Sequence, residues 1–250
     1  MLQKFNSAYL HIKKIGIIIT VSYFLQRLFL KKDSLINLKI PFVKDIILLR
    51  NKSYDTHIFY QIFIKEDLAF VKKMPHPVNV IIDAGANIGL STIYLKNIFP
   101  NAVILSIEPS AANFEILKKN VANYADIILF KGALMGASQN VSISNSDDNY
   151  ASFRVMENNS SGSISAYPIS YFIHQFGLEK VDFFKMDIEG SEKAVFEKID
   201  TDTLLRISAF AIEIHEHLVP GTFELITRKL SMYEQVYTGS EFNCFIKNNL

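Results

Sequence analysis

The sequence predicts an α/β fold with a doubly wound, mostly parallel sheet, because short buried strands alternate with helices along most of the chain. Val78–Ile82 and Ala102–Ile107 are mainly apolar runs rich in β-branched residues, typical of strands covered on both faces. Near the end of the sequence, Tyr233–Tyr237 and Phe242–Ile246 are two strands joined through Gly239-Ser240. This hairpin makes the last strand antiparallel.

The first element is a predicted N-terminal helix. Ile15–Leu25 is apolar apart from Thr20 and Ser22, with lysine and arginine on both sides. The run is shorter than the roughly 20 residues that a membrane-spanning helix needs, and no small-residue cleavage site follows it. Two interpretations stay open: a helix packed on the domain, which we favour, and a basic amphipathic anchor on a membrane surface.

The segment between this helix and the first buried strand has two predicted parts. Leu35–Leu49 alternates between apolar and polar residues and contains Pro41, which predicts one or two short strands at a sheet edge. Thr56–Lys73 carries apolar residues at helical spacing and predicts a helix. We divide the chain into residues 1–50, the N-terminal helix and short strands, and residues 51–250, the main domain.

The rest of the main domain follows a strand–helix order, interrupted between residues 133 and 165 by a segment rich in Ser, Asn and Gly. The remaining predicted elements, in order, are a helix Leu90–Ile98, a helix Ala111–Val121 capped by Ser110, a strand Ile127–Phe130, strand-like patches Asn140–Ser144 and Tyr150–Val155, a helix Tyr171–Phe176, a strand Val181–Met186, a helix Glu189–Ile199, a strand Ala209–Ile214 and a helix Phe223–Leu230.

Composition limits the classes of function. The chain has 250 residues, of which 49% are hydrophobic, enough for a large core. Its formal net charge of +1 lacks the basic excess of proteins that grip nucleic acid, so we expect no nucleic-acid partner. The single cysteine, Cys244, excludes an intramolecular disulfide and fits a cytoplasmic location. It lies in an apolar run and is predicted to be buried.

Small and polar residues follow the first buried strand, in the segment Asp83-Ala84-Gly85-Ala86-Asn87-Ile88-Gly89. Open α/β sheets bind ligands at the carboxyl ends of strands, where this segment lies. Gly85 lets the backbone turn and approach a ligand, and Gly89 lets the next helix start close to the sheet. Asp83 is expected at the mouth of the pocket. Glu108 ends the next strand, where an acid accepts hydrogen bonds from a ribose.

The turn does not match the dinucleotide fingerprint G-x-G-x-x-G, since Asn87 and Leu90 occupy the second and third glycine positions. A pyrophosphate needs close backbone approach there. A ligand that carries a sulfonium, an ammonium and a carboxylate does not, which favours S-adenosylmethionine (SAM) over NAD. An NAD-dependent oxidoreductase and a non-catalytic binding module remain the alternatives.

The chain resembles the FkbM-type methyltransferases in three segments: Val80–Gly89, Ile107-Glu108-Pro109, and Phe184–Glu192, which contains Lys-x-Asp-x-Glu-Gly-x-Glu. The resemblance implies a class I, Rossmann-like SAM-dependent enzyme with a seven-stranded sheet. It also implies that Asp83, Gly85 and Asn87 line the methionine part of the cofactor. Glu108 would hold the ribose, and Gly132-Ala133 would border the adenine. The predicted cofactor site is Asp83, Gly85, Ala86, Asn87, Gly89, Glu108, Pro109, Gly132 and Ala133.

Acids and a histidine follow the later strands and are the predicted catalytic residues: Asp187, Glu213 and His215. Glu213 and His215 share a strand face, and a neutral imidazole beside an acid is a general-base candidate. Glu192 is interpreted as a helix cap. The three catalytic candidates could instead hold a divalent cation, which we do not favour.

The resemblance suggests O-methylation of a sugar or secondary-metabolite hydroxyl, so the expected partner is a small-molecule or saccharide acceptor. We expect a cytoplasmic location, and peripheral contact with a membrane through the N-terminal helix stays open.

Overall fold

The N-terminal part of the chain is a helical hairpin followed by a strand pair. The structure is a computed structural model that describes residues 2–75, 77–145, 153–157, 164–239 and 241–248. Helices α1 (Leu2–Ile15) and α2 (Ile17–Phe29) are separated by Gly16, whose φ of 83° interrupts the helix. Strands β1 (Leu35–Leu38) and β2 (Ile47–Arg50) pair antiparallel with each other.

The prediction of one or two short strands at a sheet edge is confirmed, since both strands of a two-stranded sheet are edge strands. They form a separate two-stranded sheet. The outer edge of β2 is satisfied by a side chain instead of a strand: the Leu48 backbone N–H donates to Oδ1 of Asn120 at 2.7 Å, and Nδ2 of Asn120 donates to the Leu48 carbonyl at 3.1 Å. An edge paired in this way needs no neighbouring strand.

The helix predicted over residues 56–73 is broken into three pieces. Helix α3 (Asp55–Phe59) continues into a π-helical turn, Tyr60–Lys65, and a 3₁₀ turn follows at Ala69–Lys73. Glu66 separates the two turns because its backbone is left-handed, with φ of 57°. Apolar spacing predicted helical structure but could not reveal the change of pitch.

The remaining elements follow the predicted alternation. They are β3 (Val80–Ala84), α4 (Leu90–Ile98), β4 (Val103–Glu108), α5 (Ala111–Val121), β5 (Ile127–Lys131), β6 (Ala133–Leu134), β7 (Gln139–Asn145), β8 (Phe153–Glu157), β9 (Ile164–Tyr167), α6 (Ile169–Gln175), β10 (Phe183–Met186), α7 (Glu192–Lys198), α8 (Thr201–Leu205), β11 (Ala209–Glu213), α9 (Thr222–Lys229), β12 (Tyr233–Thr238) and β13 (Phe242–Lys247).

The main sheet has seven strands in the order β12-β13-β11-β10-β3-β4-β5. Strands β11, β10, β3, β4 and β5 are parallel, and β13 runs antiparallel to both of its neighbours. The predicted fold class, a doubly wound and mostly parallel seven-stranded sheet with an antiparallel last strand, is therefore confirmed. Ser240, in the predicted hairpin connection, lies outside the described residues.

Both faces of the sheet are covered, as the apolar strands predicted. Ile81 and Phe183 point into a core shared with α4 and α5, whereas their neighbours Ile82 and Phe184 point into a core on the opposite face. This division follows from the two-residue period of a strand. Cys244 is fully buried, as predicted.

The segment after β5 forms a second sheet in the order β6-β9-β7-β8, in agreement with the predicted excursion of short strands. The patch predicted at Tyr150–Val155 falls partly outside the described residues. The cap predicted at Ser110 is confirmed, because its side chain accepts from the Asn113 backbone N–H. Helix α7 begins three residues later than predicted, since Glu189 and Gly190 have positive φ.

The N-terminal helix is packed on the domain, but the expectation that its apolar residues form core is wrong for most of α2. Only Thr20 and Tyr23 of α2 are buried, and most of its aliphatic side chains face solvent. In the described part of the chain, no helix is long and apolar enough to span a membrane. Ile15, Leu49 and Ile81 belong to one apolar cluster, so a domain boundary at residue 50 stays a prediction.

Candidate active site

The turn after β3 requires glycine at position 85. Gly85 has φ of 75°, and a Cβ built there would lie 1.7 Å from the Asp187 carbonyl oxygen. The close approach is therefore to the end of β10, not only to a ligand as the sequence suggested. The N–H groups of Gly85 and Ala86 both donate to the Ile107 carbonyl at 3.0 Å, which ties the turn to β4 as well.

Asp83 lies beneath this turn, which corrects the expectation that its carboxylate stands at the pocket mouth. Its side chain is fully buried, and Oδ2 accepts from the hydroxyls of Ser91 and Thr92, each at 2.7 Å. Oδ1 lies 3.3 Å from Nζ of Lys185. A carboxylate surrounded in this way fixes the start of α4 against the sheet. Asp83 can therefore influence a bound ligand only through the residues that it contacts.

Lys185 is a site residue that the sequence reasoning did not single out. Its buried Nζ donates to the Gly85 carbonyl at 2.8 Å and lies 3.7 Å from Oδ2 of Asp187. Burial alone would lower its pKa, but the charges of Asp83 and Asp187 raise it, so the amine stays protonated. A signal was present: Lys185 and Asp187 are two positions apart at the end of a strand, where alternate side chains share a face.

Glu108, at the end of β4, is buried and held by backbone groups. Its Oε2 accepts from the Asn87 N–H at 2.9 Å, and its Oε1 accepts from the Ser110 N–H at 2.8 Å. Burial raises the pKa of Glu108 to about 7, against the lowering effect of these hydrogen bonds. The carboxylate thus fixes the turn and also forms part of the pocket wall.

One pocket, enclosing about 1060 Å³ with its open mouth, collects most of the predicted residues. The predicted residues that line it are Gly85, Ala86, Asn87, Glu108, Pro109, Ala133, Asp187 and Glu213. Asp83, Gly89, Gly132 and His215 are not part of the lining. Gly89 faces α5, where a Cβ would meet Leu117 at 2.6 Å, and a Cβ at Gly132 would meet Phe130 at 2.5 Å. Both glycines therefore serve packing. Gly89 thus allows the close approach of α5, and the contacts of Ser91 and Thr92 with Asp83 place the start of α4 close to the sheet, as predicted.

The wall opposite the strand ends comes from the segment around the π-helical turn: Tyr54, Ile58, Gln61 and Ile62. Sequence reasoning missed this wall, because it interpreted the segment as an ordinary helix. A π-helical turn is uncommon and is often found at functional sites, but apolar spacing does not distinguish it from an α-helix.

His215 is surrounded by carboxylates. Its Nδ1 donates to Oε1 of Glu192 at 3.0 Å, and its Nε2 lies 3.5 Å from carboxylate oxygens of both Glu189 and Glu213. Glu192 also accepts from the Ile188 backbone N–H at 3.2 Å. The interpretation of Glu192 as a cap is thus incomplete, since the same oxygen orients the histidine.

The acids of this cluster have raised pKa values. Burial, with the nearby charge of Asp187, raises the pKa of Glu189 to about 7 and that of Glu213 to about 9. Burial also raises the pKa of Asp187. For His215, burial acts downward, but the hydrogen bond and charge of Glu192 outweigh it and raise the pKa to about 9.

The protonation of His215 corrects the predicted chemistry. With a pKa of about 9 the imidazole is charged at neutral pH, so the neutral general base that was expected is not the form present. An imidazolium between carboxylates holds them together and lowers their pKa values. Of the acids around it that line the pocket, Glu189 has a pKa close to neutral pH, and its backbone is left-handed, with φ of 53°. Such strain in a non-glycine residue is often found at functional sites.

The same side chains meet the geometric requirement for a metal site. Asp187, Glu213 and His215 each offer one ligand atom, and these atoms lie within 4.8 Å of one another. The arrangement can therefore hold either shared protons or a divalent cation.

Comparison with known families assigns the chain. The model of the Methyltransferase FkbM domain matches residues 83–237, more than half of the chain. The chain belongs to this family. The match contains the turn, Glu108 and the whole carboxylate cluster, but not the N-terminal helices or the π-helical wall.

Curated relatives of this FkbM methyltransferase domain are distant. Methyltransferase 1 of Beauveria bassiana is 23% identical over 158 residues, which cover 54% of this chain and 64% of that protein. Methyltransferase sdnD of Sordaria araneosa is 48% identical over 42 residues, 17% of this chain and 16% of that protein. The chain thus spans less than two thirds of either relative.

Solved structures show weak overall likeness. Aeropyrum pernix fibrillarin in complex with natively bound S-adenosyl-L-methionine is 12% identical, with 73% of this chain and 74% of that chain covered and a TM-score of 0.40. M. jannaschii TYW2 in complex with AdoMet is 12% identical, with 88% and 89% covered and a TM-score of 0.44. Likeness at this level says nothing about the site.

Proposed function

We propose that this FkbM methyltransferase domain is a SAM-dependent O-methyltransferase that acts on a hydroxyl of a small-molecule or saccharide acceptor. The observation that carries the proposal is a single pocket that joins the Gly85 turn to a carboxylate, Glu189, with a pKa of about 7. Methylation of a hydroxyl needs a bound methyl donor and a group that accepts the hydroxyl proton, and the pocket offers residues suited to both.

The donor end of the pocket suits SAM. Oδ1 of Asn87 is buried and has no hydrogen-bond partner among the described residues, and because Asn87 lines the pocket, a rotation of its side chain would offer this oxygen to a donor such as the ammonium of SAM. Glu108 and Pro109 would hold the ribose side, and Ala133 would border the base. Bound there, SAM supplies a methyl group on a positively charged sulfonium.

The charge of the lining favours this cofactor over NAD. Six acidic residues and a single lysine are among the described residues that line the pocket: Asp67, Glu108, Asp187, Glu189, Glu213, Glu241 and Lys185. Those of the acids that are ionised attract a sulfonium and an ammonium and repel a pyrophosphate. The same repulsion disfavours a polyanionic acceptor such as nucleic acid.

The acceptor end supplies the proton transfer. Glu189 would accept the proton of the acceptor hydroxyl, and a bound SAM would supply the methyl group to that oxygen, with its carbon–sulfur bond broken and S-adenosylhomocysteine released. General-base catalysis is most efficient when the pKa of the base lies near the working pH, and the pKa of Glu189 is about 7. Asp187 and Glu213 accept further hydrogen bonds from the acceptor and orient it, and this positioning contributes most of the acceleration.

Lys185 and His215 are positioning residues in this proposal. Lys185 connects the Gly85 carbonyl with Asp187 and so keeps the two ends of the pocket in register. His215 places a positive charge beside Glu189 and Glu213. Without it, mutual repulsion would raise the pKa values of the carboxylates further and leave less ionised base.

The proposal is tested in two steps. Isothermal calorimetry should detect binding of SAM and S-adenosylhomocysteine, and no binding of NAD. Methyl transfer from labelled SAM is then assayed against sets of alcohols, saccharides and the corresponding amines. Transfer to hydroxyls supports the proposal. Transfer to amines alone refutes O-methylation, and failure to bind SAM points to the non-catalytic module.

A further inference from the structure

The outward face of α2 is apolar although it faces solvent. Ile18 is 81% exposed, Phe29 78% and Leu28 69%. At 100° per residue these side chains fall in one sector of the helix, together with the other exposed apolar residues Ile17, Val21, Phe24 and Leu25. A contiguous apolar face of this kind on a helix is typical of a surface that binds a partner or a membrane.

The opposite face of α2 is fixed to the protein by specific contacts. Tyr23 is buried against His11 and Phe59, at ring-centroid distances of 5.5 and 5.6 Å. The Gln26 side chain accepts from the Asn37 N–H at 3.0 Å and donates to its carbonyl at 3.1 Å. Nδ2 of Asn51 donates to the Leu30 carbonyl at 2.8 Å. With its inner face occupied in this way, α2 presents the apolar sector outward.

The charged residues on both sides of this face in the sequence are mainly basic. Residues 1–32 contain six basic residues and no acidic one. The first 50 residues have nine basic and two acidic residues, whereas the other 200 have 17 and 23. Exposed Lys13 precedes α2, and exposed Lys31 and Lys32 follow it, so both ends of the apolar stripe are basic.

We propose that α2 is a membrane-docking helix that lies in the plane of an anionic lipid surface. Its apolar sector inserts at the boundary between headgroups and acyl chains, and the lysines at its two ends contact the anionic headgroups. The helix has 13 residues, about 20 Å, too short to cross the hydrocarbon core but suited to lie within the interface.

The charge pattern favours a lipid surface over a second copy of the chain. A symmetric dimer through α2 would bring basic ends together, since Lys31 and Lys32 of one copy would lie near Lys31 and Lys32 of the other in a parallel arrangement, or near its Lys13 in an antiparallel one. Like charges in such an interface oppose association, whereas an anionic bilayer complements the basic ends and the apolar sector together.

The test is cosedimentation of the full chain with vesicles, with a vesicle-free sample to exclude aggregation. Vesicles of phosphatidylcholine with phosphatidylglycerol should bind the protein, vesicles of phosphatidylcholine alone should bind it far less, and salt should weaken binding. The triple variant Ile18→Ser/Leu28→Ser/Phe29→Ser should lower affinity by more than about tenfold. Lys31→Glu/Lys32→Glu should remove most of the preference for anionic lipid.

A matched control alters apolar residues exposed elsewhere. Leu205, Phe223 and Val236 lie on α8, α9 and β12 and are also exposed, although less so, at 53%, 43% and 48%. Their triple change to serine should leave lipid binding at the parental level. Circular dichroism melting curves check that all variants are folded.

Three outcomes would overturn the proposal: equal binding to neutral and anionic vesicles, equal loss in the control variant, and no binding to any vesicle. Light scattering without lipid gives a further test. A dimer that the α2 triple variant converts to a monomer would assign the face to a second copy and refute docking to lipid.

Discussion

Glu108, which is buried, and Glu189, which is half-buried, are carboxylates of the same pocket with pKa values raised to about 7, but the causes differ. Burial raises the pKa of Glu108, and hydrogen bonds from Ser110, Asn87 and Asn113 oppose it. For Glu189, burial acts together with the charge of Asp187, and the charge of His215 opposes both. The pKa of Glu108 is thus set mainly by burial and hydrogen-bonding groups, and that of Glu189 by burial and the charges of ionisable side chains. The first end of the pocket is therefore suited to binding, and the second to exchanging a proton.

The largest expected effect is at Gly85, where the two ends meet. In Gly85→Ala the new Cβ would lie 1.7 Å from the Asp187 carbonyl oxygen, so β3 and β10 must separate. We expect loss of SAM binding and a fall in the free energy of unfolding of about 3 kcal/mol or more. Calorimetry and thermal melting measure the two quantities.

Gly177→Ala is the control for backbone strain alone. Gly177 also has positive φ, 61°, but a Cβ there meets nothing within 4 Å. This variant should lose only about 1–2 kcal/mol of stability and keep its affinity for SAM. Equal losses in both variants would show that the contact with Asp187 does not matter.

The second largest effect is expected at Glu189, where a substitution should change turnover but not SAM binding. Glu189→Gln should lower turnover by about 10²- to 10⁴-fold and leave the Kd for SAM almost unchanged. In the parent the rate should rise with pH through about 7, because the ionised carboxylate is the active form, and the variant should lose this rise. Glu224→Gln, in the first turn of α9, is a control for charge alone. If Glu189→Gln turned over at the parental rate, Glu189 would not be the general base, and Glu213 would be the next candidate.

The difference between the two ends also explains what the sequence could predict. The donor end is built around residues close together in sequence, from Asp83 to Gly89, whose glycines and acid indicate a ligand turn. The position of this segment directly after a buried strand predicted a pocket at the carboxyl ends of the strands. It could not predict that Asp83 turns inward, because its partners come from two separate elements, Ser91 and Thr92 from α4 and Lys185 from β10.

The acceptor end is formed by side chains from segments that are far apart in the sequence. Asp187, Glu213 and His215 were predicted to meet, because neighbouring parallel strands end at the same edge. Their protonation could not be predicted, since the pKa of His215 depends on the contact of Glu192 with its ring. Likewise, α2 was interpreted as core from its apolar run, although burial depends on which face meets the domain.

At the donor end, Glu108→Ala should weaken SAM binding by about 1–3 kcal/mol, the usual cost of losing a charged hydrogen-bond partner. The turn also loses acceptors for the Asn87 and Ser110 N–H groups, so its geometry loosens. Because its effect is on binding, KM for SAM should rise while the pH dependence of turnover keeps the parental midpoint. A shifted midpoint would connect Glu108 to proton transfer and remove the distinction between the two carboxylates.

The smallest effect is expected at His215. His215→Gln keeps a donor for Glu192 but removes the positive charge beside Glu189. Because that charge lowers the pKa of Glu189, its loss should move the rise of rate with pH upward by about one unit. Turnover near pH 7 should then fall about fivefold, because the ionised fraction of Glu189 drops from about one half to about one tenth, and turnover at high pH should recover. A uniform loss at all pH values would instead indicate that His215 touches the acceptor.

Chelation decides whether this cluster works with protons or with a metal. A divalent cation held by Asp187, Glu213 and His215 would need a neutral imidazole and would replace the charge that His215 supplies. We expect EDTA to leave the turnover of the parent unchanged. If EDTA abolishes turnover and Mg²⁺ restores it, the three side chains are ligands. His215→Gln would then lower metal affinity without shifting the pH profile, so the two experiments together separate a proton-sharing cluster from a metal centre.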